Sequence, residues 1–128
     1  MRLSISPLDQ VGVEVTGLDI SRPLSDEVAA ELVSLWNEYG ILLLRDQHIG
    51  PEQQIAFSRI FGPLESHPLK ATTSRDYPEL FMLATDRDKE KYLTARYGGE
   101  QIVGRLDWHI DLHYTGRPNR GALLRSVV

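Results

Sequence analysis

Between Ser25 and Leu44 the chain passes from an amphipathic helical pattern, through a glycine, into a short run with no polar residue. That order constrains the fold more than any other stretch of the 128 residues. Ser25 is a good N-cap, and Asp26 and Glu27 place negative charge where a helix exposes its first N–H groups. Val28, Leu32, Leu35, Trp36 and Tyr39 recur at helical spacing, while Glu27, Glu31, Ser34 and Glu38 face away. The spacing predicts a helix to about Tyr39, stopped by Gly40. Trp36 and Tyr39 on such a stripe read as core residues rather than ligand contacts. Ile41-Leu42-Leu43-Leu44 then suits a strand buried on both faces, which predicts a central place in a sheet.

The flanking segments extend the pattern. Leu3-Ser4-Ile5 alternates like a strand, and so does Val11 to Val15 after the turn signal Pro7 to Gln10, so the two are expected to pair as an antiparallel hairpin. Gly50-Pro51-Glu52 opens a second helix with Pro at its first position, where the missing N–H is tolerated, and Ile55, Phe57, Ile60 and Phe61 form its apolar side. Gly62-Pro63 ends it, and both helices are expected to cover one side of the sheet. Leu80 to Ala84 reads as another buried strand, followed by a solvated charge run from Asp86 to Lys91. Tyr92 to Leu106 carries Gly98-Gly99 and Gly104 without clear periodicity and reads as a long, lid-like connection. Thr115 to Gly121 is turn chemistry, with a further strand from Ala122.

Composition narrows the function. The chain has 41% hydrophobic and 25% charged residues, as one ordinary soluble domain does. A net charge of -4, with scattered Lys and Arg, argues against nucleic-acid binding. The absence of cysteine excludes disulfides, zinc-thiolate sites and thiol catalysis. No apolar run is long enough to span a bilayer, and the amino terminus lacks a basic segment leading into an apolar one, so a cytoplasmic protein with no membrane partner is expected.

Chemistry concentrates in Trp108-His109-Ile110-Asp111-Leu112-His113-Tyr114. In an extended chain His109 and Asp111 fall on one side of a sheet, roughly 6.6 Å apart along the strand, while Ile110 and Leu112 face the other way. An imidazole nitrogen beside a carboxylate oxygen suits a borderline divalent cation. In the arrangement of two His and one carboxylate, the pair would be neighbours and a second His would arrive from elsewhere, leaving positions open for substrate and dioxygen. A His near an Asp also occurs often by chance, so three residues alone leave a surface pair equally plausible. On a straight strand His113 would lie roughly 13 Å from His109, which places it beside the pocket rather than on the ion unless the chain kinks sharply.

Trp108-His109-Ile110-Asp111, with the run to Gly121-Ala122-Leu123-Leu124, resembles the taurine and 2,4-dichlorophenoxyacetate dioxygenase family. Gly12 to Asp19, Leu42 to Gln47, and Phe61-Gly62-Pro63-Leu64 follow in that family's order and at similar spacings. The resemblance implies an α+β fold in which an amino-terminal hairpin and two helices pack on the first strands of a double-stranded β-helix, or jelly roll. The barrel would be incomplete, with residues 1–128 forming the amino-terminal part of a single dioxygenase domain cut short after 128. It also implies Fe(II) held by His109 and Asp111, 2-oxoglutarate as co-substrate, ascorbate as an auxiliary reductant, and dioxygen consumed in hydroxylating a small anionic substrate such as a sulfonate, sulfate ester or phenoxyacid.

Substrate contacts implied by the resemblance are His67, in a His-Pro pair shortly after Phe61-Gly62, and Arg105, four residues before His109. Leu112 and Tyr114 complete that expected set. A loop His is ordinarily just solvated, and an exposed loop Arg is an equal reading of Arg105. The family's second iron-binding His and its 2-oxoglutarate-binding Arg have no counterpart assigned in this chain, and a homo-oligomer is left open. The alternative to an enzyme is a catalytically incompetent fragment or interaction module of the same fold. A binuclear metallohydrolase ranks last, because its signature needs a His where Asp111 stands.

Overall fold

The computed structural model describes residues 3–65, 73–81, 94–97, 99–103, 109–116 and 118–127. Residues 1–64 and 65–128 form two compact units, each described by itself.

The first unit holds β1 (Ser4–Pro7), β2 (Val13–Thr16), α1 (Asp26–Tyr39), β3 (Leu42–Leu43) and α2 (Pro51–Arg59). β1 and β2 form the expected antiparallel hairpin, with Ser4 opposite Thr16 and Pro7 opposite Val13. Its loop is closed by Leu8 N–H donating to Gly12 O at 3.0 Å. The polar–apolar alternation of β2 buries Val13 and Val15 and leaves Glu14 half-buried. β3 lies parallel to β2, Val13 opposite Leu42 and Glu14 opposite Leu43. The order is therefore β1-β2-β3.

That order corrects one expectation. The central strand is β2, while the apolar run supplies an edge strand whose Leu42 and Leu43 are half-buried and whose neighbour Ile41 is 48% exposed. An unbroken apolar run reports a need for burial, and here it packs against α1, with no second strand on its far edge among the described residues.

α1 begins and ends as its sequence dictates. The Ser25 hydroxyl accepts from Val28 N–H, and Gly40, at φ +76°, donates its N–H to Trp36 O. Leu32 and Leu35 are buried. α2 has Pro51 at its first turn, and Gly50 N–H donates to the Gln53 side chain at 3.0 Å. Phe61, two residues past the end of α2, packs edge-on against Trp36 of α1 and Phe57 of α2, with ring centroids 5.4 and 5.5 Å apart. Among the described residues the core is Leu3, Val13, Val15, Leu18, Ile20, Leu32, Leu35, Ile55 and Phe57, all in this unit. Gln47 ties the connector after β3 to that core, accepting from Ile20 N–H and donating to Leu18 O and Arg45 O.

The second unit departs further from expectation. Phe81 of the expected strand makes an isolated antiparallel bridge to Thr73, and residues 82–84 lie outside the described residues. Asp86 to Lys91 lies outside them too. The segment read as a structureless connection instead contains β4 (Thr94–Tyr97) and β5 (Glu100–Val103), an antiparallel hairpin with Tyr97 opposite Glu100. Only Gly98 and Gly99 separate the strands, and Gly99 has φ +87°. A two-residue link between paired strands demands positive φ, which Gly99 supplies, so the Gly-Gly signal was present in the sequence and outweighs the missing periodicity. Gly121 to Val127 belongs to no helix or strand, so the further strand from Ala122 is not formed.

Candidate metal centre

His109 and Asp111 do come together, but on a turn and not on a strand. His109 and Ile110 are irregular, and Asp111 to Tyr114 form a turn in which Leu112 adopts φ +54°. That left-handed conformation breaks the alternation on which the strand reading rested. For a residue with a bulky side chain it costs about 1–2 kcal/mol. Thr115 compensates, because its N–H and its hydroxyl both donate to Leu112 O, at 3.0 and 2.8 Å. The His113 ring adds a third bond, Nδ1 to Ile110 O at 2.9 Å. A carbonyl only accepts, so Nδ1 carries the hydrogen. At about 0.5–1.5 kcal/mol net for each hydrogen bond, one alone would barely offset the backbone cost, whereas three do.

The consequence for Asp111 is direct, since the carbonyls of its two chain neighbours are both held. His109 Nε2 lies 3.0 Å from Asp111 Oδ1, with side chains 47% and 54% exposed. Both donors are thus reachable from solvent and already side by side. Two donors bonded to one divalent ion at about 2.1 Å and at right angles would stand about 3.0 Å apart, so the observed spacing fits a shared cation without rearrangement. In the ion's absence the contact is a hydrogen bond with the proton on Nε2, because the carboxylate only accepts.

His113 remains outside the pair even though the chain does kink. Among the described residues no group of three His, Cys, Asp or Glu side chains converges. His113 is exposed, and Tyr114 packs edge-on against it with centroids 5.6 Å apart. Of the expected substrate residues, Leu112 is half-buried and Tyr114 is 68% exposed, both on the turn from Asp111 to Tyr114. His67 and Arg105 lie outside the described residues. His48 is exposed, as expected of a surface residue. Thr115 is the residue that sequence reasoning passed over. A Thr three residues after the turning point, able to bond back to the chain, was the available signal.

With this geometry in view, the comparisons with known proteins identify the class. Residues 4–128 match the family described as taurine catabolism dioxygenase TauD, TfdA family, and the chain belongs to that family. Among its relatives is an (S)-phenoxypropionate/alpha-ketoglutarate-dioxygenase of Sphingobium herbicidovorans, 34% identical over 97% of this chain and 40% of the relative. An alpha-ketoglutarate-dependent 2,4-dichlorophenoxyacetate dioxygenase of Cupriavidus pinatubonensis is 30% identical over 97% of this chain and 44% of the relative. The crystal structure of a taurine dioxygenase from Burkholderia xenovorans superposes with a TM-score of 0.56 at 28% identity, covering 62% of this chain and 29% of that one. The chain therefore spans less than half the length of the relatives it matches.

Proposed function

We propose that this chain carries the His–carboxylate half of an Fe(II)- and 2-oxoglutarate-dependent dioxygenase site that hydroxylates a small anionic organic substrate. The observation that carries the reading is the 3.0 Å approach of His109 Nε2 to Asp111 Oδ1 on an accessible turn, in a chain of the TauD/TfdA family. The net reaction balances as 2-oxoglutarate, dioxygen and a substrate C–H giving succinate, CO2 and a substrate C–OH. When bound, Fe(II) would supply open coordination positions and relay to dioxygen the electrons that 2-oxoglutarate and the substrate give up.

The protein's own part is narrower. His109 would carry its ring hydrogen on Nδ1 instead of Nε2, freeing the Nε2 lone pair to act as a donor, and Asp111 contributes one negative charge toward a dication. The bond from His113 to the Ile110 carbonyl holds the peptide between the two side chains before any ion arrives. The third ligand and the cation that pairs with 2-oxoglutarate belong outside the described residues, as do His67 and Arg105, which are assigned to the anionic group of the substrate. Leu112 and Tyr114 are assigned to its organic part. Phenoxyalkanoic acids rank first among substrates because the two curated relatives carry such names, with sulfonates and sulfate esters next. The jelly-roll strands that would surround this site are part of the same proposal.

The test is to incubate the protein with Fe(II), ascorbate and 2-oxoglutarate, with and without a phenoxyacid or sulfonate, and to measure succinate. Substrate-stimulated succinate that disappears in His109→Ala supports the enzyme. Metal binding without succinate under any substrate favours the second reading, a non-catalytic piece of the same fold, which the absence of a third ligand among the described residues motivates.

A further inference from the structure

Asp111 is held from both sides by bonds that no metal ligand makes. The carbonyl before it, on Ile110, accepts from His113 Nδ1 at 2.9 Å. The carbonyl after it, on Leu112, accepts twice from Thr115, at 3.0 Å from the backbone N–H and 2.8 Å from the hydroxyl. Leu112 itself stands at φ +54°, a conformation that a leucine does not keep unless its surroundings impose it. Without these donors the segment has no reason to turn at Leu112. In the extended form that its residue types otherwise favour, the His113 ring cannot fold back onto the Ile110 carbonyl, and the peptide between His109 and Asp111 is not held.

We infer that His113 and Thr115 are positioning residues for the metal pair: together they lock the left-handed turn at Leu112, which brings the His113 ring back onto the Ile110 carbonyl and so holds the peptide that joins His109 to Asp111. Neither touches the ion. Thr115 acts through the Leu112 carbonyl, and His113 acts through the Ile110 carbonyl with its Nδ1–H. The inference rests on the metal reading above and deepens it, by naming what shapes the pair that the metal would use.

The hydroxyl is the part of this lock that can be removed without changing shape, because valine matches threonine in outline and cannot donate. Co(II), whose visible absorption reports the geometry and donor set around the ion, is titrated into the full chain and into Thr115→Val, Thr115→Ser, His113→Phe, His109→Ala and Asp111→Asn. Each metal-free protein is also checked by thermal unfolding. Thr115→Val is expected to weaken Co(II) binding about five- to tenfold, by loss of one ordering hydrogen bond, and to change the absorption at saturating metal. Thr115→Ser restores the hydroxyl and is expected to return both to wild type. His113→Phe keeps a ring to pack against Tyr114 but removes the donor, and is expected to behave like Thr115→Val.

A merely structural role for Thr115 would lower the unfolding temperature and leave the absorption of the saturated protein unchanged. Wild-type affinity and absorption in both Thr115→Val and His113→Phe, with binding lost in His109→Ala and Asp111→Asn, overturns the positioning role and leaves the metal reading standing. Binding unaffected by His109→Ala and Asp111→Asn, or absent from the wild-type chain, removes the metal reading and this inference with it.

Discussion

His109 Nε2 stands 3.0 Å from Asp111 Oδ1, and since a carboxylate can only accept, that distance places a proton on the nitrogen that a metal would need. Metal binding at this pair must therefore move that hydrogen, which in a neutral imidazole passes to Nδ1. Titration of Co(II) into the chain in two buffers of different ionisation enthalpy is expected to show almost no net proton release at alkaline pH, where the ring only changes tautomer, and growing release with weakening affinity as pH falls and the ring takes up a second proton. A full proton released per ion at alkaline pH would mean that the ion displaces a proton from some group other than this imidazole. Replacement by His109→Ala should abolish the coupling altogether.

Gln47 makes a second testable link, inside the first unit. Its Oε1 accepts from Ile20 N–H at 3.0 Å, and its Nε2 donates to Leu18 O at 3.1 Å and Arg45 O at 2.9 Å. Leu18 and Ile20 are both buried, so the amide satisfies backbone groups at the edge of the core. Gln47→Ala is expected to lower stability by about 1–3 kcal/mol in urea unfolding. Gln47→Glu preserves the acceptor for Ile20 but turns a carboxylate oxygen toward two carbonyls, and should be at least as damaging. A glutamate variant as stable as wild type would show that the two donated bonds contribute nothing.

The sequence made α1 legible because its signals are local: Ser25 caps its own helix start, and Gly40 ends it within bonding distance of Trp36. The β1–β2 hairpin and the proline-led start of α2 were readable for the same reason. The parallel pairing of β2 with β3 was not, since residues so far apart in sequence meet only once α1 has folded between them, and the run Ile41 to Leu44 cannot say whether it ends at an edge or a centre. At the candidate site, the residues that matter were legible and their backbone was not. Period-two alternation from Trp108 to Tyr114 suggests a strand, yet Leu112 turns left-handed, a choice driven by donors on His113 and Thr115 rather than by leucine's own preference. The Gly98-Gly99 hairpin shows the converse, a local turn signal stronger than the weak periodicity around it.

Acid should weaken the first unit through two exposed carboxylates. Asp19 titrates below its usual range because the Ser21 hydroxyl and then the Ser21 N–H bond its carboxylate, with Arg22 adding a smaller attraction. Glu27 is lowered by its own backbone N–H and by Ser25 at the start of α1. A depressed folded value means that the unfolded chain binds protons first, so this contribution is complete above the unfolded values near about 4 and is lost as pH falls through the folded ones. Unfolding midpoints are expected to be flat from neutral pH to about 5 and to fall below about 4. In the double variant Asp19→Asn/Glu27→Gln that acid-side decline should be shallower. An unchanged slope would remove these two groups from the account.

Two glycines with positive φ separate the effect of backbone strain from that of crowding. Gly40 has φ +76°, and a Cβ built there meets nothing within 4 Å. Gly12 has φ +92°, and its Cβ would fall 2.7 Å from both Ile41 Cβ and Ile41 O. Val13 N–H donates to that same Ile41 carbonyl at 2.9 Å, so the oxygen cannot retreat without loosening the approach of β2 to the chain entering β3. Gly40→Ala should therefore cost only the conformational term, about 1 kcal/mol. Gly12→Ala should cost that and an overpacking term of about 1–3 kcal/mol besides, because one of the two atoms in the way is backbone. Chemical denaturation of both variants, with Ile41→Ala combined with Gly12→Ala as a third, measures the difference. Trimming Ile41 removes its outer methyls but keeps its Cβ and its carbonyl, so the double variant is expected to recover little of the loss. Equal destabilisation of Gly12→Ala and Gly40→Ala would show that the contact with Ile41 yields freely, and that the junction of β2 and β3 is looser than its 2.9 Å hydrogen bond implies.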